Sequence, residues 1–301
     1  MARTGAPRDV VVVGGGPAGL SAGLVLGRAL RSTLIVDSGA PANAVSAEVG
    51  GLVGREGQSP AQLRELWAGQ VSRHPSVELR AGEIVAAEPA PEGLALQLAQ
   101  GDTVRTRTLL LAHGLRYIPP QLEGIDGLWG RGVLHCPFCD GWEVRNRPLA
   151  VYGDGQASVD QAHLVRGWTE EAVLCTGGPD RLDRPQREGL EAKGIRIRQE
   201  PVQGLEGADG RLERIRFAEG PPEEATALFV MPRTEQPSGL AAALGCELTD
   251  AGIVVCDADG RTGVARVFAA GDTAAAVRSV AIAVGTGARA AKAIVRELTV
   301  P

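Results

Sequence analysis

The apolar residues near the N-terminus follow the pattern of a strand, a turn and then a helix. Residues 10–13 are four consecutive valines, which is typical of a strand buried on both faces. Glycines follow at 14–16, and leucines then recur among small residues over 20–30 with a helical spacing. Residues 32–39 have the pattern of a second strand. We therefore predict a βαβ unit over residues 9–39.

The same succession of a strand, a glycine turn and a helix occurs a second time. It covers residues 148–168, and a strand-like segment follows at 171–178. Between the two units, alternating apolar and polar residues predict strands over 76–88, 94–100 and 103–114. The chain therefore contains two similar βαβ units joined by further strands.

Two more helices are predicted, one between the βαβ units and one near the C-terminus. Ser59 is a residue type that caps helices, and Pro60 suits the first helical position, so a helix is expected to begin there. Residues 226–240 contain a strand, and 266–295 predict a strand, a turn and a long alanine-rich helix. Alternating strands and helices indicate the α/β fold class, with Rossmann-like, three-layer nucleotide-binding domains.

The first glycine turn carries a nucleotide-binding pattern. Gly14, Gly16 and Gly19 form G-x-G-x-x-G, and Asp37 ends the next strand. In this pattern the first glycine makes the tight turn, the second lets a pyrophosphate approach the backbone, and the third lets the helix pack on the strand. The helix N-terminus favours phosphate, and the carboxylate accepts hydrogen bonds from ribose hydroxyls. Since the strand, helix, second strand and carboxylate fall in register, we predict a dinucleotide site.

Composition narrows the function classes. The 301 residues are 44% hydrophobic and 22% charged, which is typical of a globular protein. A net charge of -5 and only 3% aromatic residues argue against nucleic acid and anionic membranes as partners. No apolar stretch has membrane-spanning length, and none before the first glycine turn resembles a signal peptide. We predict a cytoplasmic protein.

Cys136 and Cys139 are two residues apart, with Asp140 directly after the second. Zinc sites, structural disulfides and redox-active dithiols all use this spacing, so the spacing alone does not choose among them. A zinc site needs four ligands, and the other three cysteines are isolated singles. A structural disulfide over so short a spacer would constrain little chain. These arguments weigh against the first two possibilities.

Five segments in order resemble the low-molecular-weight thioredoxin reductases, which are FAD-dependent disulfide oxidoreductases. They are VVGGGPAGL, LLLAHG, GRGVLHCPFCDG, VFAAGDT and RSVAIAVGTGARAA. The resemblance implies an FAD-binding domain split in sequence, over 1–114 and 245–301. It also implies a second nucleotide-binding domain, 115–244, inserted in the first and carrying the two cysteines. The family is homodimeric, which implies a homodimer here.

The resemblance also implies roles for individual residues. Cys136 exchanges with the substrate disulfide or dithiol, Cys139 is the cysteine nearer the flavin, and Asp140 is the acid/base. The residues implied to hold FAD are Gly14, Gly16, Pro17, Ala18, Gly19, Asp37, Asn43, Gly114, Gly271, Asp272, Arg278, Ser279 and Val280. His135 either lowers a thiol pKa or only packs, and His113 stands where the family has threonine.

The second glycine turn departs from the family. Where the family has His-Arg-Arg to bind the 2′-phosphate of NADPH, this chain has Thr176, Gly177 and Gly178. Arg181 and Arg184 follow downstream as candidate substitutes. We therefore predict an NADPH-independent enzyme, similar to the dithiol oxidases of natural-product pathways, in which oxygen or another acceptor reoxidises the flavin.

Two alternatives stay open. They are an NADPH-dependent thioredoxin-disulfide reductase and a non-catalytic flavin redox sensor. Asp140 is the reductase-like residue, because the oxidases often have histidine there. The expected partner is a small dithiol or disulfide, or a thioredoxin-like protein.

Overall fold

The computed structural model describes residues 6–179 and 181–300. In the first half of the described chain the strands are β1 (Arg8–Val13), β2 (Thr33–Asp37), β3 (Val77–Ala81), β4 (Ile84–Ala90), β5 (Gly93–Leu98), β6 (Thr103–Leu111), β7 (Arg116–Ile118) and β8 (Val133–Leu134). Nine more follow: β9 (Leu149–Tyr152), β10 (Ala172–Cys175), β11 (Arg196–Arg198), β12 (Val202–Ala208), β13 (Arg211–Phe217), β14 (Glu223–Glu224), β15 (Ala227–Val230), β16 (Arg233–Glu235) and β17 (Val267–Ala269).

The helices are α1 (Pro17–Arg28), α2 (Pro60–Val71), α3 (Pro137–Asp140), α4 (Gln156–Val165), α5 (Arg184–Ala192), α6 (Leu240–Ala243) and α7 (Val280–Thr299). Both predicted βαβ units are present, as β1–α1–β2 and β9–α4–β10. The predicted start of α2 is also confirmed. Ser59 Oγ accepts a hydrogen bond from the Gln62 amide at 3.3 Å, and Gln62 Oε1 accepts one from the Ser59 amide at 3.2 Å. This is a capping box.

The chain divides into two compact units. One contains residues 1–44, 52–116 and 234–301, and the other contains 45–51 and 117–233. We call them the first and second units.

The sheet of the first unit is organised around the long strand β6. The last residues of β6 lie between β1 and β17, parallel to both, and its first residues pair antiparallel with β5. Strands β3, β2 and β1 continue the parallel part, and β4 completes an antiparallel meander. The burial of β6 matches this dual role, because its start alternates while residues 108–111 are all buried.

Three layers form the first unit. One face of β1, with Val10 and Val12, packs against α1 and α7. The other face, with Val11 and Val13, packs against the meander and α6. Alternate valines thus enter two different cores, which explains why the strand reads as a continuous apolar run.

The second unit has the same three-layer plan. Its parallel sheet has the order β11-β10-β9-β15-β8, with α4 and α5 against one face. The antiparallel sheet β12-β13-β14 packs against the other face, through a cluster that includes Leu205, Leu212 and Ile215. The predicted fold class, two Rossmann-like domains with one inserted in the other, matches this architecture.

The boundaries of the units differ from the predicted ones. The chain passes between units at 116/117 and 233/234, whereas the sequence placed the changes at 114/115 and 244/245. The second boundary lies earlier because Leu240 and Ala241 of α6 are buried in a core of the first unit. A short segment, 45–51, also belongs to the second unit, which the sequence did not indicate. Within the described residues, no helix combines the length and apolarity that crossing a membrane requires.

Candidate active site

The two cysteines belong to a single helical turn, Cys136 at its start and Cys139 within it. Cys136 is the N-terminal cap of α3 and Pro137 takes the first helical position, so the turn is fixed where the disulfide forms. The amides of Cys139 and Asp140 both donate to the Cys136 carbonyl at 3.1 Å. Cys136 and Cys139 are joined by a disulfide, with Cα atoms 5.3 Å apart, and both are half-buried. We call these two residues the CxxC pair.

Asp140, next to the CxxC pair, has a perturbed carboxyl group. Burial raises its pKa to about 7, and the like charges of Glu143 and Glu48 add to the effect. Both causes disfavour the ionised form. A carboxyl with this pKa both binds and releases a proton near neutral pH, which an exchange of thiols and disulfides requires.

Glu48 reaches this region through the segment 45–51, which packs on the α3 turn. A Cβ atom placed on Gly50 would lie only 2.3 Å from the Cys139 carbonyl oxygen, so the two backbones are in close contact. No local pattern in 45–51 signalled this packing, and the sequence analysis missed Glu48 for that reason.

An exposed aromatic surface borders the CxxC pair. Phe138 lies between the two cysteines and is 74% exposed, and Trp142 is 65% exposed. The Arg145 guanidinium lies 3.6 Å from the centre of the Trp142 ring, and Phe138 meets Trp168 edge-on at 5.8 Å. Large exposed aromatic side chains of this kind are typical of surfaces that bind a ligand or a partner.

His135 precedes the pair but is engaged in ring packing. Its imidazole lies 4.7 Å from the ring of Tyr117 and 6.1 Å from that of Trp129, measured between centroids. Its carbonyl oxygen accepts a hydrogen bond from Gln161 at 3.2 Å. Of the two roles left open by the sequence, these contacts support packing.

The first glycine turn, in the first unit, has the shape of a phosphate cradle. Gly14 has φ +105°, and a Cβ atom there would lie 2.4 Å from the Ala112 carbonyl oxygen. Gly16 caps α1 without any side-chain hydrogen bond, and a Cβ atom there would meet nothing within 4 Å. The helix therefore begins with amides open to a ligand and with room above them. Pro17, Ala18 and Gly19 form its first turn.

Asp37 ends β2 beside this turn. A Cβ atom on Gly15 would lie 2.9 Å from the Asp37 carboxyl carbon, so the carboxylate adjoins the cradle. Asp37 also forms an ion pair with Arg64 of α2. Asn43 lies in the turn region that follows β2.

The remaining predicted cofactor residues lie at the end of the neighbouring strands and at the start of α7. The Gly114 amide donates to Thr273 Oγ1 at 2.8 Å, and the Gly271 amide donates to Thr286 Oγ1 at 3.0 Å. Asp272 lies in the same 3-10 turn as Gly271. Ser279 caps α7, accepting from the Ile282 amide at 3.2 Å, and it follows Arg278 and precedes Val280, the first helical residue.

These features fit FAD. Strands β1, β6 and β17 are parallel neighbours. The first glycine turn, Gly114 and the turn at Gly271 therefore meet at one edge of this sheet, where such folds bind dinucleotides. The open amides of α1 suit the pyrophosphate, Asp37 suits the ribose, and the N-terminus of α7 suits negative charge. When bound, FAD supplies a two-electron acceptor and donor.

The second glycine turn, in the second unit, is built differently at its strand end. Gly177 has φ +73°, and a Cβ atom there would lie 2.8 Å from the Tyr152 hydroxyl and ring. Thr176 is buried, and its hydroxyl donates to the Gly178 carbonyl at 2.7 Å. Arg181 lies 3.6 Å from Asp154, and Arg184 lies 2.6 Å from Glu188. Both arginines already have carboxylate partners.

Comparison with known proteins agrees with this architecture. Residues 8–287 match the family described as pyridine nucleotide-disulphide oxidoreductase. The chain is 30% identical over 303 residues to thioredoxin reductase sirT of Leptosphaeria maculans, covering 95% of this chain and 93% of that protein. It is 31% identical over 290 residues to thioredoxin reductase tcpT of Claviceps purpurea, covering 93% and 90%. Among solved structures, that of HlmI matches with a TM-score of 0.92 and 36% identity, covering 97% of this chain and 92% of HlmI.

Proposed function

Because the chain belongs to the pyridine nucleotide-disulphide oxidoreductase family, as a thioredoxin-reductase-like FAD enzyme, we propose that it oxidises a dithiol to a disulfide without NADPH. In this reaction the substrate gives up two electrons and two protons as its S–S bond forms. The S–S bond of the CxxC pair breaks to two thiols and is restored when the electrons pass on, with oxygen reduced to hydrogen peroxide as the final step.

The NADPH independence is inferred from the backbone conformation of Gly177, just after β10. The side chain of an arginine at this position would begin within contact distance of the Tyr152 ring and at a φ that L-residues rarely adopt. The strand end therefore has a conformation that suits glycine, and it lacks the phosphate-binding arginines of the family. Each charge-assisted contact to a phosphate contributes about 1.5–3 kcal/mol, so the missing pair is a large loss of affinity.

The residues of the second unit have distinct roles in the proposed reaction. The substrate thiolate attacks Cys136, Cys139 is the leaving sulfur, and Asp140 accepts the proton that the substrate releases. A pKa of about 7 allows Asp140 to do so and to return to its starting state. Phe138 and Trp142 offer the apolar surface on which the substrate rests.

A second candidate function follows from the names of the relatives. Both sirT and tcpT are named thioredoxin reductases. If this chain reduces a thioredoxin-like protein with NADPH, Arg181 would have to leave Asp154 and bind the 2′-phosphate. A non-catalytic redox sensor is a third candidate, and Asp140 argues against it because a sensor needs no proton carrier.

An anaerobic experiment separates these candidates. Protein purified with FAD is mixed with NADPH, NADH or dithiothreitol, and both the flavin absorbance and the alkylation of the CxxC pair are followed. We expect dithiothreitol to bleach the flavin and open the disulfide quickly, and the nicotinamides to do so slowly. Admitting oxygen should restore the colour and release hydrogen peroxide. Rapid reduction by micromolar NADPH would support the reductase, and no response to any donor would support the sensor.

We also propose that the protein is a homodimer that acts in the cytoplasm on a small dithiol or a thioredoxin-like partner. The dimer rests on the resemblance to the family, and the compartment on the apolar pattern of the sequence. Light scattering at micromolar concentration tests the dimer, which should give twice the mass of the chain. Cell fractionation tests the compartment.

A further inference from the structure

His113 lies where the cofactor cradle of the first unit meets β6. It follows β6 by two residues, and its Cα atom would lie 2.8 Å from a Cβ atom placed on Gly14. The next residue, Gly114, donates its amide to Thr273 in the turn after β17. His113 therefore lies between the two turns that frame the FAD site, although the sequence analysis assigned it no role.

Gln236 fixes which nitrogen of His113 carries the proton. The Gln236 Nε2 amide donates to the Gly252 carbonyl at 2.7 Å and to the Thr273 carbonyl at 3.2 Å. Two carbonyl oxygens can only accept, so the orientation of the Gln236 amide is set by them. Its Oε1 atom consequently faces His113 Nε2, at 2.6 Å, and must accept a hydrogen bond from it.

His113 Nδ1 is left as an acceptor without a donor. Burial lowers the pKa of His113, so the ring is neutral and holds a single proton. With that proton on Nε2, Nδ1 carries a lone pair. Within residues 6–179 and 181–300, this atom is buried and has no hydrogen-bond partner. Buried acceptors are rarely left unsatisfied in folded proteins, so a missing donor is expected.

We propose that His113 Nδ1 accepts a hydrogen bond from bound FAD, and that Gln236 is the positioning residue that holds the accepting tautomer. FAD carries hydroxyl and N–H donors along its length. The threonine of related enzymes can both donate and accept, whereas this pair of residues provides an acceptor only. His113 is thus a cofactor-binding residue, which goes beyond the proposed function.

Nitrogen NMR tests the proposal directly. The chain has four histidines, so a ¹⁵N-histidine-labelled sample gives few signals to assign. We expect His113 to be protonated at Nε2 in the holoenzyme and in protein stripped of FAD, with its Nδ1 signal moving upfield when FAD is added. His163 is a matched control, because its Nδ1 is also buried with no hydrogen-bond partner among the described residues, but it belongs to the second unit. A proton on Nδ1, or an Nδ1 signal unmoved by FAD, would overturn the proposal.

Substitutions give a second, independent readout. Asparagine places an amide oxygen near the position of Nδ1, and leucine has a similar size without an acceptor. We expect His113→Leu to weaken FAD binding by about threefold to tenfold, the loss of one net hydrogen bond. His113→Asn should restore most of that affinity. Flavin fluorescence on titration measures both, and circular dichroism checks the fold. Equal affinities for the two variants would show that a water molecule, and not FAD, satisfies the nitrogen.

Gln236→Leu tests the positioning residue. It removes the acceptor at Nε2 while leaving His113 in place, so the His113 proton is no longer fixed. We expect a mixture of both tautomers in the nitrogen spectrum and an FAD affinity between those of wild type and His113→Leu, because only the fraction of rings with the proton on Nε2 can accept. An unchanged tautomer in this variant would contradict the role of Gln236.

Discussion

Replacing Asp140 with asparagine tests whether this residue transfers the proton. The carboxyl titrates at about pH 7 because it is buried and close to two like charges. Its ionised fraction is therefore roughly one tenth at pH 6 and nine tenths at pH 8. Asparagine keeps the shape of the protonated acid and cannot exchange a proton. The variant should lose about 10²–10⁴-fold of the rate at pH 8.

The most informative quantity is the rate of wild type divided by the rate of Asp140→Asn, measured as a function of pH. Ionisation of the attacking substrate thiol affects both proteins equally and cancels. If Asp140 accepts a proton during dithiol oxidation, the ratio rises by about tenfold from pH 6 to pH 8. When disulfide reduction is assayed instead, Asp140 donates the proton, so the ratio should fall by the same factor between pH 6 and pH 8. The assay is the initial rate of disulfide formation from a small dithiol, followed by thiol titration.

Two further variants check the origin of the raised pKa. Glu143→Gln and Glu48→Gln each remove one like charge, so the pKa of Asp140 should fall and the inflection in the rate should move to lower pH. The larger movement is expected for Glu143, whose charge contributes more. A ratio of wild type to Asp140→Asn that stays constant between pH 6 and pH 8 would refute the role of Asp140.

The same shift has a consequence for stability. A carboxyl whose pKa is raised on folding binds its proton more tightly in the folded state, so folding loses stability as pH rises from the ordinary value toward 7. With the pKa raised from 3.8 to about 7, this loss grows by up to about 3 kcal/mol between pH 5 and pH 8. The free energy of unfolding of Asp140→Asn, measured with urea, should therefore rise by that amount relative to wild type between pH 5 and pH 8. An equal response of both proteins to pH would mean that the carboxyl is solvated.

Three other outcomes follow from the glycines and cysteines. Gly16→Leu should purify folded but without flavin colour. The φ of -78° at Gly16 suits any residue, whereas the leucine side chain would fill the space for the phosphates. Gly69→Leu, on an open face of α2, is the matched control. Gly177→Arg should lower the melting temperature without gaining reduction by NADPH, since it contacts the Tyr152 ring; a gain would show that the pocket survives. Iodoacetamide at pH 8 should label the CxxC pair of the reduced native protein but not Cys175, because burial raises the pKa of the Cys175 thiol to about 12. Mass spectrometry of the peptides would detect any labelling of Cys175.

Much of the fold could be predicted because its central elements have strong local patterns. The valine run of β1, the glycine turn and the cap of α2 each depend on residues close in sequence. The predicted strand 76–88 is instead two strands, broken where Gly82 adopts φ +151°. Helix α5 was missed because Leu190 is its only buried residue in the described structure, too little for an apolar stripe. Strands β12 and β13 were also missed.

The site was less accessible from sequence where it depends on distant contacts. The cysteines, Asp140 and the glycine turn were found as motifs. Glu48 approaches Asp140 only because residues 45–51 pack in the second unit. Gln236 is 123 positions from His113 in sequence, and no local pattern around either residue predicts their hydrogen bond. Such contacts arise from tertiary packing, which hydrophobic periodicity and secondary-structure propensity do not predict.

The discontinuous first unit also sets an order of events during synthesis on the ribosome. Strand β6 needs β17 on one side, and α1 needs α7, but both partners lie beyond the whole inserted stretch 117–233. At about 5–20 residues per second, β17 emerges roughly 8–30 s after β6. During that interval the parallel edge of β6 and the apolar face of α1 are uncovered, and the inserted stretch is completed before β17 is made. The nascent chain therefore passes through a state in which the second unit is complete and the first still exposes a strand edge and an apolar helix face, both of which favour aggregation.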